Sequence, residues 1–191
     1  MRKLCLLAAL ISPLACAQVV SVETNSLMRL PNTASTLRLE RLEVADYGTL
    51  LIPSNVTEVT VGELHLGRDA RITIVPGEQA LELKVNRAEL SEGSQITARG
   101  APGTYQKAAR SGRNLDLQIK ALNAPQLRVD ARGGAGAPGF VGLDGANGQA
   151  PGCAWGQAGR GADGSDGSDG QAGAPGAAVR LAVPRDYPAD K

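Results

Sequence analysis

Between Leu37 and Ala98 apolar and polar residues alternate in short bursts, and the bursts recur at a nearly fixed distance. "LRLERLEVADYGTLLIP" from Leu37, "VTVGELHLGRDARITIVPG" from Val59 and "LKVNRAELSEGSQITARG" from Leu83 carry apolar side chains at the same offsets. In the first these are Leu37, Leu39, Leu42, Val44, Leu50 and Ile52; in the second, Val59, Val61, Leu64, Leu66, Ile72 and Ile74. The third supplies Leu83, Val85, Ala88, Leu90, Ile96 and Ala98, and a small residue (Gly48, Ala70, Ser94) marks the same corner each time. The copies start 22 and 24 residues apart, and a degenerate fourth runs through Leu117, Ile119, Leu127, Val129 and Ala131.

A period of two predicts strands with one buried face. Three such strands per repeat, separated by corners, predict coils of a short parallel β-solenoid stacked about 4.8 Å apart. The alternative is a β-sandwich of antiparallel hairpins, which have no reason to recur every 22 to 24 residues. No stretch pairs a 3.6 period with caps, so the expected class is all-β. Repeats occupy 37–132, and "VVSVE" from Val19 predicts a first or capping strand inside an N-terminal segment 18–36. Val179, Leu181 and Val183 alternate like one more core strand at the start of a final segment, 179–191.

The segment between, 133–178, follows another rule. Residues 133–176 hold 16 of the chain's 24 glycines, spaced by three from Gly136 to Gly148 and again from Gly161 to Gly176. A break in that period disturbs a collagen triple helix locally, and collagen carries roughly 15–20% proline. Here "QAPGCAWGQAGRG" interrupts the period, and the only prolines are Pro138, Pro151 and Pro175. A flexible linker explains the composition. It does not explain Phe140, Val141, Leu143 and Trp155, or the strands on both sides. An extended left-handed helix with three residues per turn places every third residue on one edge, where glycine lets neighbouring chains approach. In that spacing the region resembles the bundled polyglycine-II helices of glycine-rich antifreeze proteins and phage tail adhesins. The resemblance implies a structure and no activity. With the repeats it gives the whole chain the look of a bacterial exported collagen-like, glycine-rich protein. A shorter excursion, "ITARGAPGTYQKAARSGRN", leaves the third repeat after Ile96-Thr97-Ala98-Arg99-Gly100. The long one leaves the fourth after Val129-Asp130-Ala131-Arg132-Gly133, predicting exits one rung apart.

Arg2 and Lys3, the apolar run "LCLLAALI" and Ala15-Cys16-Ala17 have the layout of a secretory signal peptide over 1–17, too short to span a membrane. Cleavage there starts the mature chain at Gln18 and places it in the periplasm, at the cell surface or in the medium. Lipidation of Cys16 is the rival reading, although Pro13 and Leu14 fit a lipoprotein box poorly. Losing Arg2 and Lys3 leaves 18 basic against 19 acidic residues, a balance that points to neither nucleic acid nor anionic lipid. Cys153 is then the one cysteine left and makes no disulfide framework.

Candidate chemistry is sparse. His65, the sole histidine, lies between Leu64 and Leu66 and should point outward, with no second histidine to build a zinc set. No nucleophile motif accompanies it. Asp163, Asp166 and Asp169 share one edge about 9 Å apart if the backbone is extended. That is too wide for two of them to hold one calcium ion, which leaves them weak metal candidates. Arg99, Tyr105, Lys107, Arg110 and Arg113 make a basic excursion suited to an anionic glycan, with Trp155 a further contact. Asn55-Val56-Thr57 matches a glycosylation sequon. The expectation is a non-enzymatic exported surface or adhesion-type protein with no cofactor and no transmembrane anchor, whose partner is an anionic glycan or another cell-surface protein. The alternative is a polysaccharide-binding or polysaccharide-processing protein on the solenoid, which would need charged clusters on one strand face. Acidic residues are expected to scatter over the corners. The Thr-x-Thr ladders of ice-binding faces are missing from the sequence.

Overall fold

Each alternating burst forms a strand, and each strand lies beside its counterpart in the next repeat. The computed structural model describes residues 18–148, 150 and 159–184, and the expected signal peptide lies outside them. The strands are β1 (Val19–Val22), β2 (Leu27–Arg29), β3 (Thr36–Val44), β4 (Thr49–Ile52), β5 (Glu58–Leu66) and β6 (Arg71–Ile74). They continue with β7 (Leu81–Leu90), β8 (Gln95–Thr97), β9 (Leu115–Asn123), β10 (Arg128–Asp130) and β11 (Val179–Ala182). One sheet has the order β1-β3-β5-β7-β9-β11 and the other β10-β8-β6-β4-β2, all pairs parallel. This is the expected all-β solenoid. The sandwich alternative fails because no two named strands pair as a hairpin.

Register follows the sequence offsets. Leu37 pairs Val59, Val59 pairs Leu83 and Leu83 pairs Leu117, while Leu50, Ile72 and Ile96 stack in the other sheet. The first two short strands of each repeat fuse into one bent strand. In β3 both Glu40 and Arg41 are exposed between buried Leu39 and Leu42, so the inward face switches phase at the bend. Gly62 occupies that bend in β5, where a Cβ would lie 2.5 Å from the Glu40 carbonyl oxygen.

Corners also stack. Asn25, Tyr47, Asp69 and Gly93 take the left-handed conformation, with φ of 56°, 59°, 53° and 76°. Asn25 donates its N–H to the Asp46 carbonyl, Tyr47 to that of Arg68 and Asp69 to that of Glu92, so these three left-handed residues are tied to the next turn. At Gly93 a side chain would run into the Asp69 carboxylate, which adds to the cost of positive φ for any other residue.

The narrow interior is filled by Leu, Val, Ile and Ala, as a chain with few aromatic rings requires. Its last rung departs from expectation. Leu181 pairs with Leu117 in register, yet it is 49% exposed and all of β11 is open to solvent. Among the described residues no further turn covers it and β11 is the outermost strand, with Val183 beyond it half-buried against the core.

Beneath the exit point of the excursions sits Arg113, 0% exposed. Its Nε donates to the Gln79 carbonyl at 2.8 Å, Nη1 to Pro53 at 3.2 Å and Nη2 to Val56 at 2.6 Å. The guanidinium fork thereby ties the corners of two earlier turns to the base of the first excursion. Burial pulls its pKa below the ordinary arginine value, because removing a charge from water disfavours it. The three carbonyl oxygens accept from this one side chain. Arg113→Met should therefore cost at least about 3 kcal/mol, from several unsatisfied buried acceptors. Denaturant unfolding measures it, and a loss under about 1 kcal/mol would show that these bonds are easily replaced.

Candidate functional site

Rung-to-rung pairing does not stop where the strands end. Beyond β8 and β10, Ala98 N–H donates to the Asp130 carbonyl at 2.7 Å, Gly100 to Arg132 at 2.8 Å and Gly103 to Ala135 at 2.7 Å. The two excursions thus leave side by side, one rung apart, as their matching exit sequences predict. The first folds back through a turn in which Thr104 and Lys107 bond to each other, and Arg110 N–H returns to the Ala101 carbonyl at 2.9 Å.

The long excursion is an antiparallel pair of extended segments with bonds at every third residue. Ser165, Ser168, Gln171, Ala174 and Ala177 donate to the carbonyls of Leu143, Phe140, Ala137, Gly134 and Ala131, at 2.8 to 2.9 Å. Glycine is needed there for space. Among the described residues Gly93 is the one glycine with positive φ, so the arm glycines serve no turn. A Cβ at Gly139 would collide with the Ser168 carbonyl oxygen, and one at Gly136 with that of Gln171. Gly133 and Gly134 stand together because the chain has two neighbours at that point. Gly133 abuts Ala174 and Gly134 abuts Ala101.

Each returning Gly-Ser-Asp triplet divides its labour. Glycine packs, and serine bonds twice: the Ser168 hydroxyl accepts from Phe140 N–H at 2.8 Å, and the Ser165 hydroxyl from Leu143 N–H at 3.2 Å. Both serines thus tie the returning segment to the outgoing one through side chain as well as backbone. Asp163, Asp166 and Asp169 remain exposed. Among the described residues no group of three or more acidic, histidine or cysteine side chains is placed to hold a metal ion.

The basic candidates separate. Tyr105, at the turn of the short excursion, stacks on Phe140 of the long one, centroids 4.4 Å apart and planes at 19°. The rings are 55% and 62% exposed, beside Val141 and Leu143 at 92% and 75%. Lys107 is exposed at the same turn and Arg110 on the returning segment. Among the described residues no ion pair joins either to Asp163, Asp166 or Asp169. Arg99 lies 3.6 Å from Asp130, which also pairs with Arg132 at 2.9 Å. Hydrogen bonding to Arg132 holds the Asp130 carboxyl below the usual carboxylate range. Arg113 belongs to the interior and not to a binding face. Trp155 and Cys153 lie outside the described residues.

A second charged feature lies on the bent sheet. Glu58, Glu82 and Asp116 form one register column, bridged by Lys84, whose ammonium bonds Glu82 and Glu58 at 2.9 and 3.1 Å. Those bonds raise the Lys84 pKa, Glu82 contributing most. Past the bend, Arg41, Glu63 and Arg87 form another column, and Glu43, His65 and Glu89 a third. His65 Nδ1 is 3.1 Å from Glu89 Oε2, in a surface groove of about 360 Å³. Acidic residues do occupy corners, as Glu23, Asp46, Asp69 and Glu92 show, but others line up in columns on one sheet face, which a scatter over the corners does not describe. Parallel register explains it, because equivalent positions in successive repeats become neighbours.

No protein-family model matches this chain, and no curated protein or solved structure is significantly similar to it.

The arm geometry separates two substitutions of equal bulk. Gly139→Val drives a side chain into the facing backbone, an overpacking cost of about 1–3 kcal/mol, whereas Asp166→Val replaces an exposed side chain. Limited proteolysis should cut the Gly139→Val arm within 133–176 and spare Asp166→Val, with the solenoid melt unchanged in both. Equal cleavage of the two would mean that the close contact carries no weight.

Proposed function

We propose that this is a non-enzymatic exported surface or adhesion-type protein in which the solenoid serves as a rigid base for a glycine-built binding arm. The observation that carries the reading is the stacked Tyr105–Phe140 pair, which locks the two excursions together and leaves both rings half open beside Val141 and Leu143. Isolated apolar residues on a surface need no explanation, but a contiguous exposed patch marks a contact site. Rings held by backbone-bonded segments lose little freedom on binding, and aromatic side chains dominate contact energetics where they are anchored. Exposed Lys107 at the same turn and Arg110 on the adjoining segment supply positive charge, so the reading assigns an anionic glycan as ligand, with another cell-surface protein as the alternative partner. Export rests on the leader-like sequence of residues 1–17. Among the described residues no helix is long and apolar enough to cross a membrane.

The ordered columns on the bent sheet support a second reading, a face that binds or processes polysaccharide. The His65–Glu89 pair lies next to Glu63, which bonds Arg41 at 2.8 Å and approaches Arg87 at 3.4 Å. A carboxylate on a histidine ring nitrogen orients the ring for proton transfer. Arginines beside it would hold acidic sugars.

A binding screen of the mature protein against acidic glycans and whole cells separates the two. The arm reading expects the Tyr105→Ala, Phe140→Ala double variant to lose at least about tenfold in affinity, an energy of about 1.4 kcal/mol, while His65→Ala binds normally. Turnover of an acidic polysaccharide that disappears in His65→Ala would replace it with the sheet-face reading. Binding unaffected by either change contradicts both.

A further inference from the structure

Among the described residues the first and last turns of the solenoid are half-finished, and the halves are complementary. At one end β1 pairs only with Arg41–Val44, the second half of β3. Thr36–Leu39 has no partner strand on that side among the described residues. At the other end β11 pairs only with Leu115–Gln118, the first half of β9. There Val183 and Pro184 run on beside Ile119 and Lys120, and Ala121–Asn123 is without an outer partner strand among the described residues. In the other sheet β2 and β10 are the outermost strands.

We infer that one copy of this chain docks end to end on another, the two half-turns completing one shared coil. In that joint β11 of the first copy lies against Thr36–Leu39 of the second. The second copy's β1 lies against Ala121–Asn123 of the first, beyond Val183 and Pro184, and its β2 covers β10. All faces of the coil then hold one strand each, and no edge is left over.

Side chains agree with the register. Inward columns continue without a break: Leu181 meets Leu37, Val20 meets Leu122, and Met28 meets Val129. Each column is partly open at an end: Val20 and Leu122 are half-buried, although Leu42, Leu64 and Ala88 between them are buried. Met28 is 38% exposed and Leu181 49%, although Leu50, Ile72, Leu83 and Leu117 in the same columns are at 0%. Outward columns place Val19 over Ala121, Ser21 over Asn123, Leu27 over Arg128, Arg29 over Asp130, Arg180 over Thr36 and Ala182 over Arg38. No column sets like charges side by side. Asp130 already holds Arg132 and Arg99, so Arg29 adds less here than the apolar columns do. Unpaired strand edges are templates for another chain. A head-to-tail contact that does not close on itself extends as a filament. None of the arm residues takes part, so the joint stands independently of what the arm binds.

The test uses the mature chain starting at Gln18, verified by intact mass. Light scattering should show its mass rising with concentration beyond that of a dimer. Leu181→Lys blocks one end and Met28→Lys the other, each at a position already partly open to water. Alone, each should be monomeric with a melt close to that of the unaltered chain. Mixed in equal amounts they should form a dimer, twice the monomer mass, and nothing larger, since each retains one intact end. Val179→Lys, at 39% exposure, serves as a second block if Leu181→Lys lowers the melt. An unaltered chain that stays monomeric at every soluble concentration overturns the inference. A dimer persisting in both single variants overturns it too, because that contact would be two-fold and located elsewhere.

Discussion

Backbone hydrogen bonding between equivalent segments of successive turns is the interaction on which both halves of this molecule depend. In the solenoid it takes the form of parallel ladders, such as Leu37 to Val59 to Leu83, which bring like positions into register and create the buried apolar columns. At the corners it runs through residues such as Tyr47 and Asp69, which donate to the turn above. Past β8 and β10 the same relation persists with no core to reward it: Gly100 still bonds Arg132, and Gly103 still bonds Ala135. The arm is a continuation of the stack after the side-chain interior has ended.

That continuation has a steric condition. Where hydrophobic columns hold strands together, Cβ atoms point alternately inward and outward and cause no conflict. Where backbones alone meet, a Cβ on the meeting edge collides with the facing carbonyl at positions such as Gly136, Gly139 and Gly167 and is tightly confined at Gly173 and Gly176, so glycine recurs once per three residues per neighbour. The doublet Gly133-Gly134 sits at the base, beside both the short excursion and the returning segment. Farther out one neighbour remains, and one glycine per triplet suffices. Each cross-arm bond contributes only about 0.5–1.5 kcal/mol net, so anchorage at the base matters. Ala137, at 3% exposure, is the arm's buried apolar contact there. The Tyr105–Phe140 stack then joins the two excursions above it.

Much of this was legible in the residues. Equal offsets in three repeats specified the register, and the glycine period specified the spacing of the arm. The matching exits at Arg99-Gly100 and Arg132-Gly133 specified that the excursions travel together. What was not legible depends on neighbours distant in the chain. Arg113 reads as one more basic loop residue, and only its closeness to carbonyls 34, 57 and 60 residues earlier makes it a staple. Val179, Leu181 and Val183 have a core pattern, but alternation cannot say whether another turn will cover them. The acidic column of Glu58, Glu82 and Asp116 was discoverable, since these positions share an offset once repeats are aligned. Being polar in every repeat, that offset carries no signal in the apolar pattern. Ser165 and Ser168 resemble linker residues until the opposing Leu143 and Phe140 amides are seen to point at their hydroxyls.

The central claim is that the glycine period reflects paired backbone and not composition, and residue-resolved amide exchange tests it most directly. Pairing predicts protection that repeats by three: the amides of Ser165, Ser168, Gln171, Ala174 and Ala177 slow, those of Asp166, Gly167, Asp169 and Gly170 between them fast. Uniformly fast exchange across 161–177 would contradict the account. Protection without a three-residue rhythm would contradict it as well.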